Sequence, residues 1–240
     1  MRVRQLTLRV TSSAAVAFLY LSLTAPATCA QSSDPPLTKQ NIITHWERNP
    51  RRGVQEYIEN MVKRRRVGFL PTRGVRRELS RRGVPAEVID ALRLNFSGDA
   101  EFNFQVWLFE AGPATLSGDQ LAALARATID ELRDRGSELD EVFTHYKPPL
   151  PEPCVQGQGG ERCPESRGSL LQVKGRVQKS AGKLSAVVRL AYVSPTESQP
   201  IGGEQVVPIG SKTEEGLKAA AAEIVRKVHD NIKQEIKGIF

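Results

Sequence analysis

The chain has 240 residues, with 34 Lys and Arg against 27 Asp and Glu and a pI of about 9.5. That basic total is local. Residues 48–82 hold twelve Lys and Arg and only Glu56, Glu59 and Glu78, net +9, whereas residues 83–240 hold eighteen basic and twenty-two acidic side chains, net −4. This excludes reading the whole chain as a polycation, and the length suits one moderate domain with a smaller one beside it.

Residues 1–30 have the three parts of a secretory signal. Arg2, Arg4 and Arg9 make a positive start, and the uncharged run Ala14 to Leu23 follows. Such a run fits a signal peptide's apolar region and falls short of the roughly 20 residues that span a bilayer. Ala25-Pro26-Ala27 and Thr28-Cys29-Ala30 offer cleavage sites. A buried helix, an uncleaved anchor and a lipoprotein built on Cys29 are the alternatives, the last opposed by Pro26 where a lipobox wants Leu. The expectation is an exported protein, periplasmic, outer-membrane-associated or secreted, with 31 Lys and Arg after removal of the leader.

After a polar leader at 31–37, residues 38–95 predict four short helices. Thr38 caps the first, which carries Ile42, Ile43 and Trp46 and stops at Asn49-Pro50. The second starts near Gly53 with Val54, Tyr57, Ile58, Met61 and Val62 at helical spacing, and Val67-Gly68-Phe69-Leu70-Pro71 breaks it. Thr72 caps a third holding Val75 and Leu79, which Gly83 ends in a left-handed position. Pro85 opens a fourth with Val88, Ile89 and Leu92 on one face. Asn95 to Asp99 reads as a linker.

From Ala100 the pattern changes. Phe102, Phe104, Val106 and Leu108 alternate with Asn103, Gln105 and Trp107 as in a strand; Ser117 caps a helix to Arg135 with Leu121, Leu124, Ile129 and Leu132 inward; and Leu139 to Tyr146 predicts a second strand. Lys147 to Gly168 is an irregular Pro- and Gly-rich excursion. A hairpin follows, Leu170 to Val177 and Leu184 to Val193 around Ser180-Ala181-Gly182, then a short strand at Gln205 to Ile209. Ser211 and Glu214 have capping-box spacing before a last helix with Leu217, Ala221, Ile224, Val228 and Ile232 buried. The expected fold class is α/β, an α+β sandwich with a mixed, mostly antiparallel sheet and two long helices, preceded by a small all-α module.

Cys154 and Cys163 fall in the excursion, and an even pair in an oxidising compartment predicts a disulfide. Metal ligation is the alternative, and His45, His145 and His229 are scattered. No metal or cofactor is expected. No catalytic motif of the G-x-S-x-G or H-E-x-x-H kind is present. Ser180 and Lys183 match S-x-x-K by chance within a hairpin turn. His145 lies near Glu138, Asp140 and Glu141, a pattern that could serve acid–base chemistry, but without a placed nucleophile the expectation is a solvated strand end.

The basic run Lys63, Arg64, Arg65, Arg66, Arg73, Arg76, Arg77, Arg81 and Arg82 is the candidate binding surface. Three readings fit it: a solvated face, contact with an anionic envelope surface of lipid or acidic glycan, and nucleic acid. The signal peptide, the short helices and the lack of interleaved aromatic residues disfavour nucleic acid.

The opening strand Phe104-Gln105-Val106-Trp107-Leu108 with its helix, the hairpin Leu171 to Val177 and Ala186 to Leu190, the turn starting Tyr192-Val193-Ser194-Pro195 and the closing amphipathic helix resemble the TolB amino-terminal-like group of envelope proteins, with its FlgO and CsgG relatives. This covers 104–236. The excursion at 147–168 stands where relatives carry another helix. Val67 to Thr72, with Leu79, Gly83 and Leu92, resembles a small helical module of exported soil-bacterial proteins. The first resemblance implies a non-enzymatic role in envelope assembly or protein interaction. A secreted hydrolase with an unrecognised site is the competing expectation.

Overall fold

A computed structural model describes residues 34–49, 53–97, 103–113, 115–143, 147–154, 170–194 and 197–239. The expected signal peptide, His145 and Cys163 lie outside these residues. The fold is an α+β arrangement with a mixed sheet, as the sequence predicts.

The first half is helical. Thr38 and Asn41 form a reciprocal capping box at the start of α1 (Lys39–Arg48). α2 (Val54–Tyr57) runs through a π-helical turn, Ile58–Val62, into α3 (Lys63–Arg65). Arg66 ends this helix at φ +63, and Val67 then bridges to Leu37 on one side and Phe96 on the other. α4 (Arg73–Arg81) is capped by Thr72 and α5 (Ala86–Leu94) follows Gly83, whose φ of +78 is the predicted left-handed turn. Pro85 precedes α5 as its N-cap residue. Ile42, Trp46, Tyr57, Val62, Phe69, Leu79 and Leu92 fill one apolar core.

The second half is a five-stranded sheet in the order β1-β3-β4-β5, with β2 continuing along the β1 side of β3. β1 (Asn103–Val106) and β2 (Glu110–Ala111) run parallel to β3 (Leu170–Ser180). β3 and β4 (Lys183–Val193) form the predicted hairpin, its two turn residues Ala181 and Gly182 at φ +48 and +78. Two successive positive φ values match the strands' right-handed twist. α6 (Gly118–Asp134) and α7 (Glu214–Ile236) cover one face, where Phe104, Val106, Leu171, Val173, Val188 and Leu190 meet Leu124, Ile129, Ile224 and Val228.

Three expectations need correction. Leu139 to Phe143 is not a strand: Gly136–Leu139 is a 3-10 turn, and Leu139, Val142 and Phe143 are buried at i, i+3 and i+4. β5 (Ser198–Ile209) is more than twice the predicted length, passing through Pro200 and through Gly202 at φ +67 with a register shift opposite Val188 and Leu190. It is an edge strand, which tolerates proline because the missing N–H lies on the unpaired side. The cap of α7 is Thr213, which accepts from Gly216 N; Ser211 only bonds the Thr213 hydroxyl.

The helical half and the sheet belong to one compact unit, Pro35–Phe240. Leu70 is buried in the sheet's core, and its N–H and C=O are both bonded by the Gln199 side chain, at 3.2 and 2.8 Å. Phe96 stacks edge-on against Tyr192. The described part of the excursion, 147–154, follows β1: Leu150 N–H donates to Phe104 O, and Cys154 exchanges backbone bonds with Val106 and Leu108.

Candidate functional site

The basic residues fall into groups with different commitments. Lys63 pairs with Glu59 one turn back, Arg82 with Glu47 of α1, and Arg65 Nε donates to Pro35 O at 2.9 Å. Arg81 Nε donates to Arg77 O at 3.4 Å. Arg64 and Arg66 are exposed at the end of α3.

Arg73, Arg76 and Arg77 differ. Val75 and Leu79 turn α4 inward, so the i, i+3, i+4 spacing sets these three on another face with Ser80 at i+7. With Ala86, Ile89 and Asp90 of α5 they line a groove of about 380 Å3. None of the three makes an ion pair among the described residues. The groove includes none of Lys63, Arg64, Arg65, Arg66, Arg81 and Arg82.

Arg76 is half-buried, and its Nε–H is buried without an acceptor; the same is true of Arg93 Nε on α5. Burial, then the charge of Arg93, push the Arg76 guanidinium below its ordinary pKa, against the pull of Asp90 and Glu235. Glu235 is already committed, since its Oε2 accepts from Gly74 N at 2.7 Å. Arg93 Nη1 donates to Gly238 O at 3.0 Å. Sequence reasoning passed over Arg93 because it lies in the net-acidic part; its signal is a place on the same helix as Ile89 and Asp90, one turn on.

A second polar cluster is built on His229 instead of His145. His229, 2% exposed on α7, bonds through Nδ1 to Glu138 Oε2 at 3.0 Å. Arg135 forks onto Glu138 through Nε at 2.7 Å and Nη2 at 3.1 Å. Bonds first from Arg135, then from His229, hold the Glu138 carboxyl down at about 2. Burial keeps His229 below its usual value despite Glu138. A carboxylate only accepts, so Nδ1 carries the proton, and Nε2 is buried without a partner. An imidazole so enclosed has no route to a substrate. The cluster is structural.

On the sheet face away from the helices, Gln172 Nε2 and Trp107 Nε1 both donate to Gln105 Oε1, at 2.7 and 3.1 Å, and Lys174 Nζ sits 3.9 Å from the centre of the Trp107 ring. An open groove of about 340 Å3 nearby is lined by Lys174, Arg176, Arg189 and Glu110 among others, but Arg189 is paired with Glu204 and Glu110 sits opposite Arg176 in the ladder. Ser180 and Lys183 face each other across the hairpin turn.

Among the described residues, no group of three or more His, Cys, Asp and Glu is placed to hold a metal ion. Nor is any described helix long and apolar enough to cross a membrane. No protein family, curated protein or solved structure matches the chain.

Proposed function

We propose that this is an exported, non-enzymatic envelope protein with an interaction role, and that its helical half docks on an anionic lipid surface through α4. One observation supports this above the others: Arg73, Arg76 and Arg77 share a groove in which no arginine has a carboxylate partner. A positive module, net +9 over 48–82, on a body of net −4 makes a dipolar protein, and such asymmetry orients encounter with a charged surface. The resemblance of 104–236 to the TolB amino-terminal-like group points the same way, toward assembly or interaction.

The test is binding to vesicles containing anionic lipid, with neutral vesicles as control. Binding should fall steeply between low and physiological salt, because exposed charges are screened over about 8 Å at the latter. Reversing Arg64, Arg65 and Arg77 to Glu should abolish it while near-UV circular dichroism stays unchanged. No binding at low salt would overturn the proposal.

A further inference from the structure

We infer that Arg73, Arg76 and Arg77 form a discrete site for a phosphomonoester group, a narrower claim that rests on the proposed docking. A diffuse positive face needs only exposed charge. This groove has more. Its arginines are on one helical face over a groove of about 380 Å3, large enough for a phosphorylated headgroup, with Ser80 among the lining residues. Arg76 is partly withdrawn from solvent, and none of the three arginines makes an ion pair among the described residues. A guanidinium drawn out of solvent is ordinarily paired.

The nearby carboxylates do not supply the match. Glu235 is engaged by the Gly74 N–H, and Asp90 lines the groove without pairing to any arginine there. A phosphomonoester brings about −1.5 to −2 charges and three acceptor oxygens, enough to engage several guanidiniums at once. A phosphodiester brings one charge and two such oxygens. Guanidinium forks also pair two donors with two oxygens, which an ammonium cannot reproduce.

The experiment compares vesicles of phosphatidic acid and phosphatidylglycerol, matched in surface potential, with the purified protein. Phosphatidic acid should bind at least tenfold more tightly. R76K and R77K keep the charge and lose the fork, so each should cut that ratio at least fivefold while binding to phosphatidylglycerol stays within twofold. Arg77 is exposed, so its variant guards against a folding defect at Arg76. R64E, outside the groove, should weaken both lipids and leave the ratio intact. Millimolar inorganic phosphate separates the sources: competition shows that the phosphate alone suffices, and a preserved ratio assigns recognition to the headgroup in its bilayer. Either supports the phosphomonoester. Equal affinity for the two lipids, or a ratio indifferent to R76K and R77K, overturns the site and leaves electrostatic docking standing. Absence of binding to both overturns the docking itself.

Discussion

Glu235, near the end of α7, accepts a 2.7 Å hydrogen bond from the backbone N–H of Gly74 in the first turn of α4. The first N–H groups of a helix have no partner within it and carry partial positive charge, so a carboxylate there both caps and attracts. Glu235 therefore does for α4 what its own sequence does only in part, since Thr72 reaches the Val75 N–H alone. Glu235→Ala should lower stability by about 1–3 kcal/mol, the range for losing a hydrogen bond to a charged group. Glu235→Gln keeps an acceptor and should cost less. Urea unfolding of both variants checks the order, and an unchanged midpoint for the alanine variant would dismiss the cap.

Gln199 makes the second clasp, its amide closing on both backbone groups of Leu70. Gln199→Ala strands the buried Leu70 N–H, while the Leu70 C=O keeps the Thr72 N–H, and should cost about 1–3 kcal/mol. The change of composition at Asn95 to Asp99 predicts proteolytic release of a fragment beginning near Ala100. With both clasps in place, release should be slow in the wild type and several times faster in the E235A/Q199A double variant. Equal rates would mean that neither clasp governs separation of the helices from the sheet.

Gly175 lies on the helix-covered face of β3, where a Cβ would fall 2.3 Å from the Phe109 ring. Phe109 is 1% exposed and part of the core, so it has nowhere to retreat. Gly175→Ala should therefore cost at least the 1–3 kcal/mol typical of overpacking. In Phe109→Leu the same alanine should cost markedly less. Additive losses in the double variant would show that the ring is not what glycine accommodates.

The cysteine pair remains a proposal that thiol counting decides. Cys154 is buried and pinned to the β1 edge by backbone bonds to Val106 and Leu108. A link to Cys163 would close a short ring worth roughly 2.7 kcal/mol at best on chain-entropy arithmetic. Under denaturing, non-reducing conditions, protein folded in an oxidising medium should show neither thiol free; two reactive thiols would exclude the link.

Much of the fold was legible because local pattern and tertiary role agree. The β3–β4 hairpin has uninterrupted alternation and a turn with glycine, and α6 has the Ser117 and Gln120 capping box ahead of its apolar stripe. The failures have separate physical causes. Leu139, Val142 and Phe143 lie at a helical i, i+3, i+4 spacing, but the run is too short for its period to outweigh the strand propensity of Val142, Phe143 and Tyr146. β5 was cut short because Gly202 and Gly203 usually end a strand, whereas here Gly202 turns at positive φ beside Asn231. Gln105 and Gln172 look solvent-facing but are buried, with Gln172 Nε2 donating to Gln105 Oε1 across β1 and β3. Of the basic run, the sequence could name the charges but not their commitments. Only the fold distinguishes Lys63 and Arg82, which are paired, from Arg73, Arg76 and Arg77, and only the fold brings Arg93 to Arg76.

The His229–Glu138–Arg135 cluster makes stability fall on acidification in two windows. Burial lowers the His229 pKa below its unfolded value of about 6.5, so between these values the unfolded chain binds the proton and the folded chain does not. Stability is thus full above about pH 6.5 and declines as pH falls toward the folded value. Glu138 acts lower down. Its carboxyl is held at about 2, so its contribution is present above the ordinary value near 4.5 and disappears as pH drops toward 2. The charges facing the imidazole are Glu138, which favours protonation, and Arg135 and Lys233, which oppose it, with burial deciding the sign. Urea midpoints at pH 7.5 and 5.5 should differ in the wild type, lower in acid. His229→Gln removes the titrating group while keeping a donor for Glu138, so its two midpoints should lie closer together even if both are reduced. An identical pH 5.5 deficit in that variant would place the acid sensitivity elsewhere in the chain.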